Sequence, residues 1–186
     1  MIRGMKPTRL AALAILVLQA VLAPAPVAEA AKPEDVFKGK VVIMKSRLPT
    51  RFSSASAFIT AIHKARTDRV WPKEEKGDDH AVWNVEYIAF FAQPLNDNEV
   101  NVKFFDITGG THRFVAGDEQ YTRERGSRIF ASSIELAKPV FDTNRRYMMT
   151  VESGRRILAT TTFWLRGKGP NYSGKVEFSD AETKAR

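Results

Sequence analysis

The side chains best equipped for chemistry in this chain are arginines, and they recur in close groups. Arg123, Arg125 and Arg128 share one polar segment, Arg155-Arg156 follows a Ser-Gly pair, and Arg145-Arg146 is matched further on by Arg166 and Lys168. A guanidinium presents paired donors in a plane that fits carboxylate and phosphate, so such groups point to anion recognition. The metal candidate is Asp78-Asp79-His80, with two carboxylates and an imidazole on one loop. Adjacent residues of an extended stretch point to opposite sides, so further ligands would have to come from elsewhere; the alternative is a loop of solvated charges.

Catalytic constellations are sparse. His63, His80 and His112 fit no HExxH spacing, and neither a GxSxG elbow, a P-loop nor a dinucleotide fingerprint occurs. No cofactor is therefore expected. An enzyme, either a hydrolase acting on an envelope polymer or a metal-dependent one, would need Asp78, Asp79 and His80, or Asp106, Asp118 and His112, to converge in a pocket. His63 falls beside an apolar stripe, where a partly buried, hydrogen-bonded imidazole is the ordinary outcome. Trp71, Trp83 and Trp164 could stack on a sugar, but Trp83 lies in the most apolar segment and is expected in the core, while Trp164 has parity opposite to Phe163 and Leu165.

The chain opens as an export signal would. Arg3, Lys6 and Arg9 precede an apolar stretch from Leu10 to Leu22, and Ala28-Glu29-Ala30 provides small residues for a cut. The stretch is shorter than the roughly 20 residues that cross a bilayer, which argues for a cleaved signal peptide over residues 1–30 and no membrane span in the mature protein. Removing those residues takes three basic groups and one acid from the formal charge of +8, leaving +6. Residues 31–186 suit a single domain with a substantial core. Cysteine is absent, so disulfides, thiolate metal sites and a lipid-acceptor cysteine are excluded together, and packing alone must stabilise the fold. A cysteine-free exported domain fits the periplasm of a Gram-negative bacterium, or release outside the cell. The sequon Asn171-Tyr172-Ser173 would carry a glycan only in a eukaryotic secretory route.

Periodicity supplies the elements. Val41 to Met44 reads as a first strand. Phe58, Ala61, Ile62 and Ala65 fall at i, i+3, i+4 and i+7 after Ser53-Ser54, predicting one short amphipathic helix near 54–67; a strand is the alternative there. Residues 72–80 are polar and contain both Pro72 and Gly77, predicting an exposed loop. In 81–92, Trp83, Val85, Tyr87, Ala89 and Phe91 share one parity while Ile88 and Phe90 make the other side apolar too, the pattern of a central strand covered on both faces. Val100, Val102 and Phe104 alternate with polar residues, and Gly109-Gly110 permits a reversal into Arg113-Phe114-Val115. Further strands follow at 129–136, 147–151 and 157–165, the last two joined across Ser153-Gly154, and a short one at 175–178.

About seven strands at this spacing predict a mainly β, single-domain, antiparallel two-sheet sandwich. From about residue 81 to 166, the order strand, Pro139, Phe141, Asn144, Tyr147 and then a hairpin resembles an immunoglobulin-like or fibronectin type III-like sandwich. The resemblance implies that Tyr147 is the corner tyrosine opening the penultimate strand, and it is one of architecture, without a specific family. It also implies that loops gather at the two ends: Arg145 and Arg146 with Arg166 and Lys168 at one, and Arg155-Arg156, the segment Arg123 to Arg128 and loop 73–80 at the other.

The leading expectation is thus a non-catalytic exported binding module. Its strand-end loops, through Arg123, Arg125, Arg128, Arg155 and Arg156, meet an envelope or extracellular protein or an anionic polymer. Nucleic acid is not expected, because the aromatics follow core periodicity and the chain is exported. Besides the enzyme reading, the chain could be an assembly subunit that pairs through an edge strand such as 175–178.

Overall fold

The computed structural model of the chain describes residues 31–75, 80–122 and 124–167. Residues 1–30, read above as a signal peptide, Asp78, Asp79, Arg123, Lys168, the sequon at Asn171 and the strand expected at 175–178 lie outside the described residues.

The elements, in chain order, are α1 (Pro33–Val36), β1 (Lys40–Met44), α2 (Ala55–Ala65), β2 (Arg69–Val70), β3 (Glu74–Glu75), β4 (Ala81–Phe90), β5 (Glu99–Asp106), β6 (Arg113–Tyr121), β7 (Ile129–Ala137), β8 (Arg145–Ser153) and β9 (Arg156–Leu165). Every longer strand foreseen within the described residues is present, and so is the helix. Three short elements escaped periodicity, which needs more residues than α1, β2 or β3 contain. The segment read as a loop over 72–80 includes β3, whose Glu74 and Glu75 pair with Val82 and Ala81.

Pairing departs from two antiparallel sheets. The strands form one curled, mixed sheet in which β7 and β1 flank β4, and the path continues β1-β9-β8-β5-β6. The two arms meet through a parallel pairing of Lys40 with Thr160, where Thr160 N–H donates to Gly39 O. Lower down the same edge of β9, β2 also pairs in parallel, Arg69 with Trp164 and Val70 with Leu165. The bridge between Lys40 and Thr160 is the physical reason for the difference, because it joins two arms that a sandwich of separate sheets would leave apart, while β2 extends the same edge of β9. The order remains immunoglobulin-like: β4 pairs with β7, and β9-β8-β5-β6 makes the other arm.

The sheet curls around one core containing Val41, Trp83, Val85, Tyr87, Val102, Phe104, Tyr147, Met149, Phe163 and Leu165. The second face of β4 is also covered: Ile88 and Phe90 pack with Val42, Met44, Phe37 and Ile62. Here α2 lies across β1 and β4. Its start is capped by Ser54, whose side chain accepts from Ala57 N–H at 3.1 Å, and Ile62 is its buried residue. Its end is tied to β1, since Lys45 N–H donates to Ala65 O and Thr67 N–H to Ile43 O.

Candidate functional site

The loop joining β4 to β5, residues 91–98, is the scaffold on which the basic residues converge. After the buried Phe91, Leu95 is the one large apolar side chain of residues 92–98, and it is 2% exposed in the core. Around that anchor the loop is laced to residues 122–128. Leu95 N–H donates to Ser127 O at 2.9 Å, Gly126 N–H to Leu95 O at 2.7 Å, and Thr122 N–H to Asn98 O at 2.8 Å. The hairpin between β8 and β9 reaches the same loop, with Ser153 Oγ hydrogen-bonded to Asp97. Gly154 turns that hairpin at φ 57°, in the left-handed region.

Three guanidiniums rest on this scaffold. Arg125 Nε donates to Asn98 Oδ1 at 2.8 Å, Arg128 Nη2 to Ala92 O at 2.8 Å, and Arg156 Nη1 to Gln93 Oε1 at 3.3 Å. All three acceptors are uncharged, so the hydrogen bonds orient the cations without neutralising them. Among the described residues the acid that pairs with one of them is Asp35 of α1, 3.7 Å from Arg128 Nη1. Arg128 Nε is buried and has no hydrogen-bond partner among the described residues, an uncommon state for a buried donor. Arg155 is exposed at the tip of the hairpin. Four of the five arginines expected at a binding end are therefore brought to one end; Arg123 lies outside the described residues.

The opposite end is organised differently. Register places Arg145 opposite Leu165 and Arg146 opposite Trp164, as the hairpin predicts. Asp106, 5% exposed, takes Arg145 at 3.2 Å and Arg113 at 3.4 Å, and Arg145 also meets Asp142 at 3.4 Å. Burial alone would raise the Asp106 carboxyl, but hydrogen bonds from Thr108 and Arg113 and the charge of Arg145 outweigh it, holding the group below the usual aspartate value. Arg146 donates to Thr162 Oγ1 at 3.1 Å, and Arg166 lies over the Trp164 ring at 4.7 Å. This end is thus a set of internal pairs.

The described ends of loop 73–80 sit at this second end, not with Arg155-Arg156 as expected: Lys73 N–H donates to Val82 O, and Glu75 pairs with Ala81. The reason is the direction of β4: its first residue, Ala81, accepts from Lys138 N–H, and Trp83 Nε1 donates to Arg166 O at 2.8 Å. Of the two enzyme constellations, Asp78 and Asp79 of the first lie outside the described residues, and the second, Asp106, Asp118 and His112, is not assembled. Asp106 is opposite Arg113, whereas Asp118 is opposite Val102, about 13 Å along the ladder at roughly 3.3 Å per residue, and His112 is exposed. His80 is exposed as well. Among the described residues no group of three His, Cys, Asp or Glu side chains is placed to hold a metal ion. His63 is exposed and packs its ring 5.2 Å from Phe37, which differs from the partly buried, hydrogen-bonded setting expected. Trp83 is fully buried, Trp71 is exposed, and Trp164 is half-buried.

What sequence reasoning missed is the loop 91–98 itself. Gln93 and Asn98 look like ordinary loop polars, and the one signal was Leu95, a lone apolar residue between Pro94 and Asn96. Also missed was a cleft of about 520 Å³ on the α2 side of the sheet, lined by Met44, Leu48, Phe52, Phe58, Ile88 and Ala131 among others.

No family model matches the chain, and no curated protein matches it. Among solved structures it is similar to an immunoglobulin-like protein from Pseudomonas aeruginosa, with 12% identity over 68% of this chain and 90% of that one and a TM-score of 0.32. It is also similar to part of a β-glucosidase from Kluyveromyces marxianus, with 13% identity, 53% of this chain, 14% of that one and a TM-score of 0.27. The chain spans about 14% of the β-glucosidase's length. Among the described residues no helix is long and apolar enough to cross a membrane.

Proposed function

We propose that this chain is an exported, non-catalytic binding module of the periplasm or the extracellular space. In this reading residues 1–30 are removed as a signal peptide, and residues 31–186 form one domain whose arms, β7-β4-β1 and β9-β8-β5-β6, act as the two layers of an immunoglobulin-like sandwich. It binds an anionic envelope component or an acidic protein patch through the end that carries Arg125, Arg128, Arg155 and Arg156, with Arg123 in the adjoining segment.

The observation that carries the reading is the contrast between the two ends. Around Asp106 the arginines are held by carboxylates, so little of their charge is left for a partner. Around loop 91–98 Arg125 and Arg156 are held by amide oxygens, and Arg128 by a carbonyl oxygen with the exposed carboxylate of Asp35 at 3.7 Å. A cation already oriented by a neutral acceptor loses less side-chain entropy when an anion arrives, and it keeps its full charge to offer.

The test is retention. Wild type and the variant Arg125→Gln/Arg128→Gln/Arg156→Gln are incubated with solubilised envelope extract at low and at high salt, and bound species are identified. A defined partner kept by wild type, released by salt and lost by the variant supports the reading. Equal retention by both proteins, or none by either, returns these arginines to the solvated surface.

A further inference from the structure

The free edge of β7 and the cleft beside it form a second surface, remote in its chemistry from the arginine end. β7 pairs with β4 in unbroken register from Val82↔Ala137 to Phe90↔Ile129, and among the described residues nothing pairs with its other edge. The ladder's phase can be read from its ends. Phe91 N–H donates to Arg128 O, and Lys138 N–H donates to Ala81 O. In an antiparallel ladder, bonded pairs recur at every second position, so Phe130, Ser132, Ile134 and Leu136 bond to β4. The N–H and C=O groups of Ala131, Ser133 and Glu135 therefore point away from β4, towards the open edge.

Those same residues put their side chains on the outer face of the sheet, where the cleft lies. Ala131 pairs with Ile88 and Ser133 with Glu86, and all four line the cleft together with Met44, Leu48, Phe52 and Phe58. Ala131 and Ser133 are small, so space remains next to the edge. The cleft's volume of about 520 Å³ is within the roughly 300–1,000 Å³ usual for binding clefts. The sheet's other edge is defended: β6 carries a register shift opposite Phe104/Phe105 and the charged residues Arg113, Asp118 and Glu119. β7 has no bulge, no proline and a single charge, Glu135, and an undefended edge is a template for another strand.

We propose that β7 accepts an extended segment of another protein as an added strand. Large apolar side chains at alternate positions of that segment fill the cleft, and acidic residues lie at its ends. Main-chain bonding to an edge combined with side chains entering a pocket at every second position is a general mode of peptide capture. The charge preference comes from the segment between β1 and α2. There Lys45, Arg47 and Arg51 are exposed, and their side chains have no ion-pair partner among the described residues. Glu86, half-buried on the cleft floor and bonded by Asn84 Nδ2 at 3.3 Å, disfavours an acid at the centre of the segment and confines the acids to its ends.

The probe is a labelled synthetic peptide of about eight residues, with leucine at alternate central positions and aspartate at both ends, titrated into the full chain by fluorescence anisotropy. Ser133→Pro removes a donor on the open edge and no bond to β4, a position where proline is tolerated. It is expected to weaken binding by about tenfold or more while leaving the thermal midpoint near wild type. Ala131→Arg, which fills the cleft, gives the same loss if Ser133→Pro does not fold. Arg47→Glu/Arg51→Glu reverses the preference, so that a lysine-ended peptide binds better. Equal binding of a peptide with its leucines clustered, or binding unchanged in Ser133→Pro and Ala131→Arg, overturns the proposal. So does self-association abolished by Ser133→Pro, which assigns the edge to a second copy of the chain.

Discussion

Tyr147 Oη accepts a hydrogen bond from Asp142 N–H at 2.8 Å, closing the turn between β7 and β8 onto the strand that follows it. The phenol is 1% exposed, with its ring against Phe141 and Phe163 at 5.4 and 6.3 Å. One side chain thereby joins the core to the backbone of a turn, as corner tyrosines do in immunoglobulin-like folds. Tyr147→Phe keeps the ring and strands the Asp142 N–H. The expected cost is about 1–3 kcal/mol, read as a lower urea midpoint with an unchanged slope.

The contact of α2 with the sheet depends on Ile62, the helix's buried side chain. Ile62→Ala is expected to cost about 2–5 kcal/mol through lost burial and the cavity left behind. Because Ile62 belongs to the smaller cluster with Phe37, Val42, Met44, Ile88 and Phe90, the main core should survive. Amide exchange in 55–65 should accelerate before that in β8 and β9.

Asp106 gives the fold an acid-sensitive point. Its carboxyl is held below the ordinary aspartate value despite burial, so the sign is that of a group depressed on folding. Its stabilisation is fully present above the unfolded value of about 3.9 and is lost as pH falls through the lower folded value. Asp106→Asn should lose about 1 kcal/mol at neutral pH, a small figure because Arg113 and Arg145 are largely solvent-screened. Urea midpoints measured from neutral pH downward should converge for the two proteins as acid removes the wild-type charge.

How far the sequence was legible follows from the range of the interactions involved. The two-faced apolar pattern of 81–92 marked β4 as central, and the structure puts Trp83 and Val85 into one core and Ile88 and Phe90 into another. The helix was visible in Phe58, Ile62 and Ala65 because its period is local. Sheet closure was not, since it depends on a parallel bridge between Lys40 and Thr160, residues far apart in sequence with nothing in their types to pair them. The grouping of Arg125, Arg128 and Arg156 followed from the hairpin logic of an immunoglobulin-like order. Their acceptors, Asn98, Ala92 O and Gln93, did not, because a side chain's partner across a loop leaves no periodic trace. The described ends of loop 73–80 were misplaced because the direction of β4 relative to β9 is a property of the assembled sheet.

The central claim is that charge held by uncharged oxygens remains available to a partner, while charge held by carboxylates does not. The direct measurement is the binding of inorganic polyphosphate and of polyglutamate to the full chain, at low and high salt. It compares wild type with Arg125→Gln/Arg156→Gln, whose guanidiniums are held by amide oxygens, and with Arg113→Gln/Arg145→Gln, which removes the same number of charges from the pairs with Asp106 at the other end. Salt-sensitive binding is expected, lost in the first variant and retained in the second. Equal loss in both variants would show that net charge alone attracts anions, and would contradict a binding end built on loop 91–98.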